Sequence, residues 1–391
     1  MVENKPEKKE KRFSLGGAEE FALYKSLNLF EREKEFKQFI YALLTREHLL
    51  LNGPAGTGKS LFARNAFALI DGNTSLFSIH MTKFMSEELL FGPIDIKKLR
   101  EKSVIEYNTK GSALDATFLY LDEFFDASDP LLRSLLEVLN EREWRRGQQY
   151  KKCPLHTAIV TSNYKRENEI TEAVLDRFIF KADVKPIKAV KSRKEMFCTD
   201  NVLPKPAIDF AMLEEACKII DSNQIIIPTK ISDVYDLLHK EFKKNTKKYV
   251  SDRTLKKAIK VIRASAYINN REEATIHDLK EVKYVFCTLN NATEEGMFDA
   301  AFDKLIEKDE AEKEITISLE KITEVIDQFP ADMSTMSEKD FLDRMKELNE
   351  HLGLLSNIAP PTDALKDKKK QLSERVKKLL FENREKFIVN R

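Results

Sequence analysis

The sequence has few glycines and cysteines, and its positive and negative charges nearly cancel. Glycine supplies only 11 of 391 residues. Because each glycine weakens a helix by roughly 1 kcal/mol relative to alanine, this scarcity favours a mostly helical protein. The 66 basic and 65 acidic side chains leave a formal charge of +1, which excludes a globally basic nucleic-acid-binding protein and an acidic disordered chain. The length predicts two or three domains.

The four cysteines, at positions 153, 198, 217 and 287, form neither a CxxC pair nor a Cys/His metal-binding spacing. We therefore expect reduced, mostly buried thiols. No stretch reaches the roughly 18 consecutive apolar residues of a membrane span. The polar start of the chain lacks the apolar segment of a signal peptide. These absences predict a cytoplasmic protein without a membrane span.

Patterns along the chain predict four regions. Residues 1–19 are expected to form a disordered arm, because the first twelve are almost all polar or charged. Residues 20–186 alternate short apolar runs with amphipathic helices, which predicts an α/β core with a parallel sheet covered on both faces. Residues 187–293 show only helical patterns, and residues 294–391 predict a C-terminal helical bundle. The predicted strands are 48–51, 75–79, 117–121 and 157–161, and the predicted core helices include 61–70 and 130–139.

In the helical unit we predict helices near 189–198, 207–220, 231–242, 252–268 and 276–289, with Asp209, Thr229, Ser251 and Thr275 as caps. In the C-terminal region, apolar residues at 315, 319, 322 and 326 predict a helix that packs on another helix. Further helices are expected at 339–355 and from 363. Residues 303–327 carry a net charge of −5 and residues 363–391 one of +5. These charges indicate either solvated helices of one bundle or a docking surface.

The three clustered glycines belong to the run Gly53-Pro-Ala-Gly-Thr-Gly-Lys-Ser60, which fits the phosphate-loop pattern G-x-x-x-x-G-K-[ST]. Glycines allow successive backbone N–H groups to turn onto phosphate oxygens, and the following helix adds its partial positive charge. Lys59 is expected to reach the terminal phosphates, and the Ser60 hydroxyl is expected to bind Mg²⁺. The predicted nucleotide-binding residues are Gly53, Pro54, Ala55, Gly56, Thr57, Gly58, Lys59, Ser60 and Leu61.

A second apolar strand, 118–121, ends in two adjacent carboxylates, Asp122 and Glu123. We expect Asp122 to hold Mg²⁺ and Glu123 to orient and polarise an attacking water. Such a pair favours an ATPase over a kinase that transfers phosphate to a small molecule. The strand 156–162 then ends at Asn163, which is predicted to hydrogen-bond the γ-phosphate or the water, because ligands lie beyond the carboxyl ends of parallel strands.

Arg177 lies between apolar residues in the run 173–178. Its guanidinium suits the phosphoryl group in the transition state. The alternative is an intramolecular salt bridge with Asp176 or another neighbour.

This set of motifs, in this order, resembles the AAA+ ATPases over about residues 20–290. Within that class it is most similar to the MoxR family, and specifically to its RavA-like branch. The closer resemblance lies in three groups of residues. Phe91-Gly-Pro93 with Leu99 and Tyr107…Gly111 resembles the family's insert within the second core helix, and 119–124 with 135–147 resembles its Walker B strand and the following helix. Ser251-Asp-Arg253 with 256–266 resembles the start of its lid helix. Phe30-Glu-Arg-Glu33 resembles the adenine-side segment, although Gly-Arg-Glu is its commoner form. No β-rich insertion like that of RavA is predicted in 300–391, so the client of RavA is not expected.

The resemblance implies a P-loop αβα core, a helical lid at 187–293, and ATP and Mg²⁺ as cofactors. It implies that Asn163 is sensor 1, that Arg177 is an arginine finger reaching the neighbouring subunit, and that Arg253 is sensor 2. A finger acting in trans implies a ring, typically a homo-hexamer. The family function is chaperone-like remodelling of a client protein, usually with a von Willebrand factor A-domain partner.

Two inserts are candidates for lining the pore, 84–114 and the hairpin-like run 143–152. The second is basic, with Trp144 and Tyr150 interleaved, which suits phosphate contacts and base stacking with a nucleic acid. It is equally compatible with contact to a protein segment, and a purely structural hairpin is the third alternative. A nucleic-acid-remodelling motor is therefore the alternative function. The near-neutral chain and the absence of a base-reading module disfavour it. A scaffold with a vestigial site is a third hypothesis, against which the intact Lys59, Asp122, Glu123 and Arg177 argue.

Overall fold

A computed structural model describes residues 17–163, 174–200, 202–287, 291–330, 333 and 336–389. The chain divides into two compact units between Asp299 and Ala300. This division falls inside one continuous helix, Ala292–Asp327. Most of the predicted arm, residues 1–16, lies outside the described residues. In the part of the chain that the structure describes, no helix is long and apolar enough to cross a membrane.

A five-stranded, fully parallel sheet organises the first unit. From one edge to the other its strands are residues 76–80, 118–122, 157–162, 49–52 and 180–183, so the first strand of the chain lies in the interior of the sheet. This arrangement confirms the predicted α/β core. The strands of the unit are β1 (Leu49–Asn52), β2 (Ile70–Asp71), β3 (Leu76–His80), β4 (Phe118–Asp122), β5 (Glu143–Arg146), β6 (Gln149–Lys152), β7 (Thr157–Ser162), β8 (Phe180–Asp183) and β9 (Ile208–Asp209).

The central strands are built around short apolar runs, Leu49–Leu51 in β1 and Ala158–Val160 in β7. Every residue of β1 and β7 is buried, as expected for strands covered by helices on both faces. Sequence patterns did not predict β8, because Lys181 and Asp183 alternate with apolar residues on this edge strand. The helices of this part are α1 (Ala18–Ser26), α2 (Glu33–Thr45), α3 (Lys59–Ala68), α4 (Glu87–Phe91), α5 (Ile96–Lys102) and α6 (Asp129–Glu141).

The region after the sheet is mainly helical, as predicted, and contains α7 (Val190–Phe197), α8 (Phe210–Asp221), α9 (Thr229–Thr246), α10 (Asp252–Ile268) and α11 (Lys283–Phe286). Asp209, Ser251 and Thr275 act as side-chain caps, as predicted. The prediction for Thr229 was wrong, because Pro228 is the cap residue of α9 and no side chain caps it. The helix expected at 276–289 is instead a 3₁₀ helix, Ile276–Val282, followed by α11, and residues 288–290 lie outside the described residues.

The helix α12 (Ala292–Asp327) continues from the first unit into the second, which also contains α13 (Glu338–Asn357) and α14 (Asp363–Val389). The predicted apolar repeat of α12 lies in the core of this bundle with side chains of α13 and α14. Two ion pairs join α14 to α12, Arg375 to Asp327 at 2.6 Å and Lys368 to Glu320 at 3.6 Å. Such pairing favours the interpretation of the opposite charges as parts of one bundle.

The predicted hairpin at 143–152 is present as the antiparallel pair β5–β6. Of the alternatives for this hairpin, base stacking by Trp144 is excluded, because its side chain is only 2% exposed and lies edge-on against Tyr107, with ring centroids 5.4 Å apart. Arg146 pairs with Glu87 at 2.6 Å, and Lys151 pairs with Asp115. Much of the positive charge of the hairpin is therefore matched within the chain, and Trp144 serves as a core residue.

Candidate nucleotide-binding and hydrolysis site

The phosphate loop runs from the end of β1 to the start of α3, as the sequence pattern requires. Gly53 lies against the backbone of the segment after β8, where a Cβ would be 2.2 Å from the carbonyl oxygen of Val184. Gly56 and Gly58 adopt positive φ angles of 77° and 83°, a conformation that glycine reaches without steric cost. The loop thus leads directly into the N-terminus of α3, and a helix N-terminus is a general anion-binding feature.

Lys59 extends back along this loop. Its Nζ donates to the carbonyl oxygens of Gly53 at 2.7 Å and Pro54 at 2.9 Å, and to Oδ1 of Asn163 at 2.8 Å. Burial lowers the pKa of Lys59, while the nearby carboxylates of Glu123 and Asp122 act in the opposite direction. The ammonium group therefore lies where the loop, β4 and β7 meet.

Asp122 is the last residue of β4, and polar side chains surround its carboxylate. The hydroxyl of Thr161 donates to it from the neighbouring strand, and Nδ1 of His80 lies 3.5 Å away on the other side. Burial alone would raise the pKa of Asp122, but the hydrogen bond from Thr161 and the nearby Tyr120 and His80 side chains together hold this pKa below its usual range. The carboxylate is therefore kept ionised, as binding of a cation requires.

Glu123 and Asn163 lie side by side at the carboxyl ends of adjacent strands. The backbone N–H of Asn163 donates to Oε2 of Glu123 at 3.2 Å, and the side-chain amide of Asn163 donates to Oε1. Glu123 has a φ of 52°, in the left-handed region that non-glycine residues occupy at a cost and often at functional positions. The carboxylate is thus held in one orientation beside Lys59.

The side chains at this place suit a magnesium ion. Mg²⁺ is commonly bound by one or two protein oxygens together with substrate phosphates, and the Ser60 hydroxyl and Asp122 carboxylate are of this kind. The buried Tyr120 hydroxyl, beside Ser60, Thr161 and Asp122, makes no well-aligned hydrogen bond with the described residues. An orphaned hydroxyl of this kind suits a hydrated cation, whose bound waters would supply the missing partner.

The segment that resembles an adenine-side element lies on the other flank of the phosphate loop. A cavity of about 480 Å³ is lined by Phe30 and Arg32 of this segment, by Thr57 and Leu61 of the loop region, and by Pro186, Ile187, Arg193, Met196 and Thr199. Its walls combine apolar and polar groups, as cofactor pockets usually do. The cavity adjoins the phosphate loop and is large enough for a nucleobase and ribose.

The two candidate arginines lie on segments that contact each other where the core meets the helical region. The hydroxyl of Ser251, which caps α10, donates to Asp176 at 2.8 Å. This bond brings the residue before Arg177 next to the start of the helix that carries Arg253. Arg177 is half-buried, whereas Arg253 is exposed and, within the described ranges, makes no hydrogen bond or ion pair. Ala173, the first residue of the predicted Arg177 motif, lies outside the described residues.

Sequence reasoning missed three polar residues around Asp122. Tyr120 precedes Asp122 by two positions and therefore shares its face of the strand, which was a usable signal. His80 lies opposite Asp122 in the β3–β4 register, and Thr161 follows Val160, the partner of Leu121 in the β4–β7 pairing. Those neighbours depend on register, which the sequence alone does not specify.

A parallel sheet with this strand order, a phosphate loop after β1 and an acidic pair after β4 define a P-loop nucleotide-binding protein of the AAA+ class. Comparisons with known proteins agree. A family model described as the MoxR domain in the MoxR–vWA–beta-propeller ternary systems matches residues 22–201, and one for an AAA lid domain matches residues 229–295.

Individual relatives point in the same direction. An uncharacterised protein of Methanocaldococcus jannaschii is 31% identical over 66% of each chain, and the chaperone MoxR1 of Mycobacterium tuberculosis is 31% identical over 38% of this chain and 39% of its own. The matches thus span about two thirds or less of these relatives. The crystal structure of a candidate ATPase from Cytophaga hutchinsonii superposes with a TM-score of 0.55 at 19% identity, covering 68% of this chain and 84% of that one. The chain belongs to the MoxR family of AAA+ ATPases.

Proposed function

We propose that this protein hydrolyses ATP with Mg²⁺ and uses the energy to remodel or activate a client protein in a chaperone-like way. The observation that carries the proposal is the link from Lys59 through Asn163 to Glu123. This link joins the ammonium group of Lys59, proposed to bind phosphate, to the carboxylate of Glu123, proposed to activate water, at the carboxyl edge of the sheet. Membership of the MoxR family supports ATP as the nucleotide.

In the proposed mechanism the phosphate loop and Lys59 bind the phosphates of ATP. Mg²⁺, held by Ser60 and Asp122, would supply charge neutralisation at the phosphates. Glu123 orients and polarises the attacking water, and Asn163 fixes the Glu123 carboxylate while its amide remains within reach of the γ-phosphate or the water. Residues 53–58 and Leu61 form the rest of the binding surface.

We infer that the active assembly is a ring, a hexamer in keeping with the family resemblance. In such a ring Arg177 would reach the nucleotide of the neighbouring subunit, and Arg253 would contact ATP from the lid of its own subunit. The bond between Ser251 and Asp176 supports a coupling of the two arginines, because it ties the start of α10 to the residue before Arg177. Residues 20–186 would form the core of this machine, 187–293 the lid and 294–391 an accessory helical bundle.

The proposed partner is a von Willebrand factor A-domain protein. The family model that matches residues 22–201 is named for systems that combine a MoxR domain, a von Willebrand factor A domain and a beta-propeller, and this description is the basis of the inference. The assignment to the RavA-like branch rests on motif resemblance and remains part of this proposal. Nucleic acid is disfavoured as the substrate, because Trp144 is buried and the neighbouring charges are paired.

Two variants test the proposal. Lys59→Ala should abolish nucleotide binding, because it removes the cation from the phosphate loop. Glu123→Gln should bind ATP without turnover and keep the assembled state, so affinity purification of this variant with ATP should retain the client and the von Willebrand factor A-domain partner. Recovery of neither protein from cells that contain such a partner would contradict the remodelling function, even if ATP hydrolysis were observed.

A further inference from the structure

The chain segment before α2 forms one wall of the base-side cavity and connects two parts of the fold that are far apart in sequence. Its central residues are Glu31 and Arg32. On one side lies the phosphate loop, and on the other lies the segment 185–189, which leads into α7. Between them, these two residues hydrogen-bond to the phosphate loop and to the segment 185–189.

Arg32 connects the phosphate loop to this later segment through its guanidinium group. Its Nη2 donates to the carbonyl oxygen of Thr57 at 3.1 Å and to that of Lys185 at 2.6 Å, and Nη1 donates to the carbonyl of Glu31 at 2.6 Å. Arg32 is only 5% exposed. A buried guanidinium bonded to two loops fixes the distance between them, because its donors have a rigid planar geometry.

Glu31 holds the start of α7. Its carboxylate accepts from the backbone N–H of Lys188 at 2.9 Å and from that of Ala189, the cap residue of α7, at 2.8 Å. These backbone donors hold the pKa of the Glu31 carboxyl below its usual range, so the carboxylate is ionised and the bonds are charge-assisted.

The backbone of Glu31 makes this residue type unexpected. Its φ of 55° lies in the left-handed region, which glycine adopts more readily than glutamate. Glu31 therefore has an unfavourable backbone conformation. Its carboxylate accepts two hydrogen bonds from the backbone N–H groups of residues 188 and 189, which a glycine could not do.

We propose that Glu31 and Arg32 are positioning residues that hold segment 185–197 over the base side of the nucleotide and thereby set affinity for the base and ribose. This inference rests on the proposed function, because it requires a nucleotide in the phosphate loop. Arg193 and Met196 of α7 line the same cavity as Thr57 and Phe30. A displacement of α7 would open this wall and leave the phosphate loop unchanged.

The test compares Glu31→Gly with the unchanged protein in the full chain. Glycine suits the backbone conformation, so the fold is retained while the carboxylate is removed. Affinities for Mg-ATP and Mg-tripolyphosphate are measured in parallel. We expect the affinity for ATP to fall about tenfold or more, the loss expected for charge-assisted hydrogen bonds. The affinity for tripolyphosphate, which has no base, should change less than about twofold, and KM should rise by a larger factor than kcat falls.

Lys247→Gly is the matched control, because Lys247 is an exposed residue with a φ of 56° that lies outside the cavity. It should bind both ligands like the unchanged protein. Glu31→Gln retains an acceptor oxygen and should recover part of the ATP affinity. Amide hydrogen exchange at 188–189 should be faster in Glu31→Gly than in the control.

Unchanged ATP affinity in Glu31→Gly would overturn the inference and leave the proposed function intact. An equal loss of ATP and tripolyphosphate affinity would also overturn it, since the phosphate loop would then be disturbed. Failure of the unchanged protein to bind ATP would contradict the proposed function, and the inference would fail with it.

Discussion

Asn163 and Glu123 are joined by two hydrogen bonds, one from the backbone N–H of Asn163 and one from its side-chain amide. The same amide accepts from Lys59 at 2.8 Å. One neutral side chain therefore connects the group proposed to bind phosphate with the group proposed to activate water. This relationship gives a role to the polar residue that follows β7. A substitution of Asn163 should therefore change catalysis more than nucleotide binding.

Replacing Asn163 with alanine should lower kcat on the order of 100-fold, because the Glu123 carboxylate loses its side-chain donor and the reacting groups lose a preorganised amide. ATP affinity should change by less than about threefold, since the phosphate loop is retained. Steady-state hydrolysis and equilibrium binding measure the two effects. Asn349→Ala is the control, because this exposed amide donates to the Met345 carbonyl of its own helix and should have no effect. Equal losses in binding and kcat would contradict the assigned role.

Arg177→Ala should abolish hydrolysis if the arginine acts on the nucleotide of a neighbouring subunit, a contribution on the order of 1,000-fold. Mixing Arg177→Ala subunits with Glu123→Gln subunits should restore part of the activity, because the second variant supplies an intact arginine to a site with an intact Glu123. Phosphate release as a function of mixing ratio is the measurement. Normal hydrolysis by Arg177→Ala alone, or no recovery in mixed assemblies that are shown to form, would contradict an arginine acting in trans.

Trp144→Ala should destabilise the protein by about 3–5 kcal/mol, because a buried indole leaves a cavity next to Phe91 and Tyr107. Tyr150→Ala on the partner strand should cost much less, since the Tyr150 side chain is 53% exposed. Denaturant unfolding compares the two variants.

ATP hydrolysis by the unchanged protein should not respond to DNA or RNA. Stimulation by nucleic acid that is lost on Arg145→Ala would instead favour the nucleic-acid motor.

Buried His48 should make stability depend on pH. Its Nδ1 accepts from the Ala158 N–H at 3.0 Å, so the proton lies on Nε2, which donates to the Leu139 carbonyl at 2.6 Å. Burial lowers the pKa of His48 to about 3, below its value in the unfolded chain. The neutral form therefore contributes stability that is complete above about pH 6.5 and is lost as pH falls, by about 2 kcal/mol at pH 5.

Denaturant unfolding at pH 7 and pH 5 tests this expectation. His48→Gln should reduce the difference between the two pH values, because the amide can keep both hydrogen bonds without titrating. His277→Gln is the control at an exposed histidine. The same pH dependence in His48→Gln as in the unchanged protein would show that other groups cause the acid effect.

The sequence was sufficient to predict the phosphate loop, the acidic pair and the parallel sheet, because each is encoded in consecutive residues. Glycine spacing determines the loop, and apolar runs determine β1, β4 and β7. Asn163 was predictable for a related reason, since the end of a buried strand has a defined place at the edge of the sheet.

The remaining features depend on contacts between residues distant in the chain. Arg32 bonds to Lys185, 153 positions later, and no local pattern specifies that partner. The role of Trp144 stayed open in the sequence, because an alternating basic hairpin is compatible with an exposed binding strand and with a purely structural one. Its burial depends on Tyr107 and Phe91 of the preceding insert, which supply the apolar surface.

Hydrolysis of ATP at this site, with Glu123 as the residue that activates water, is the core of the proposed function. Its most direct test is Mg-dependent phosphate release by the unchanged protein and by Glu123→Gln, with ATP binding measured on the same samples. The account predicts turnover by the unchanged protein and a loss of kcat on the order of 100-fold or more in Glu123→Gln, with ATP still bound. Undiminished hydrolysis in a Glu123→Gln protein that binds ATP normally would contradict it.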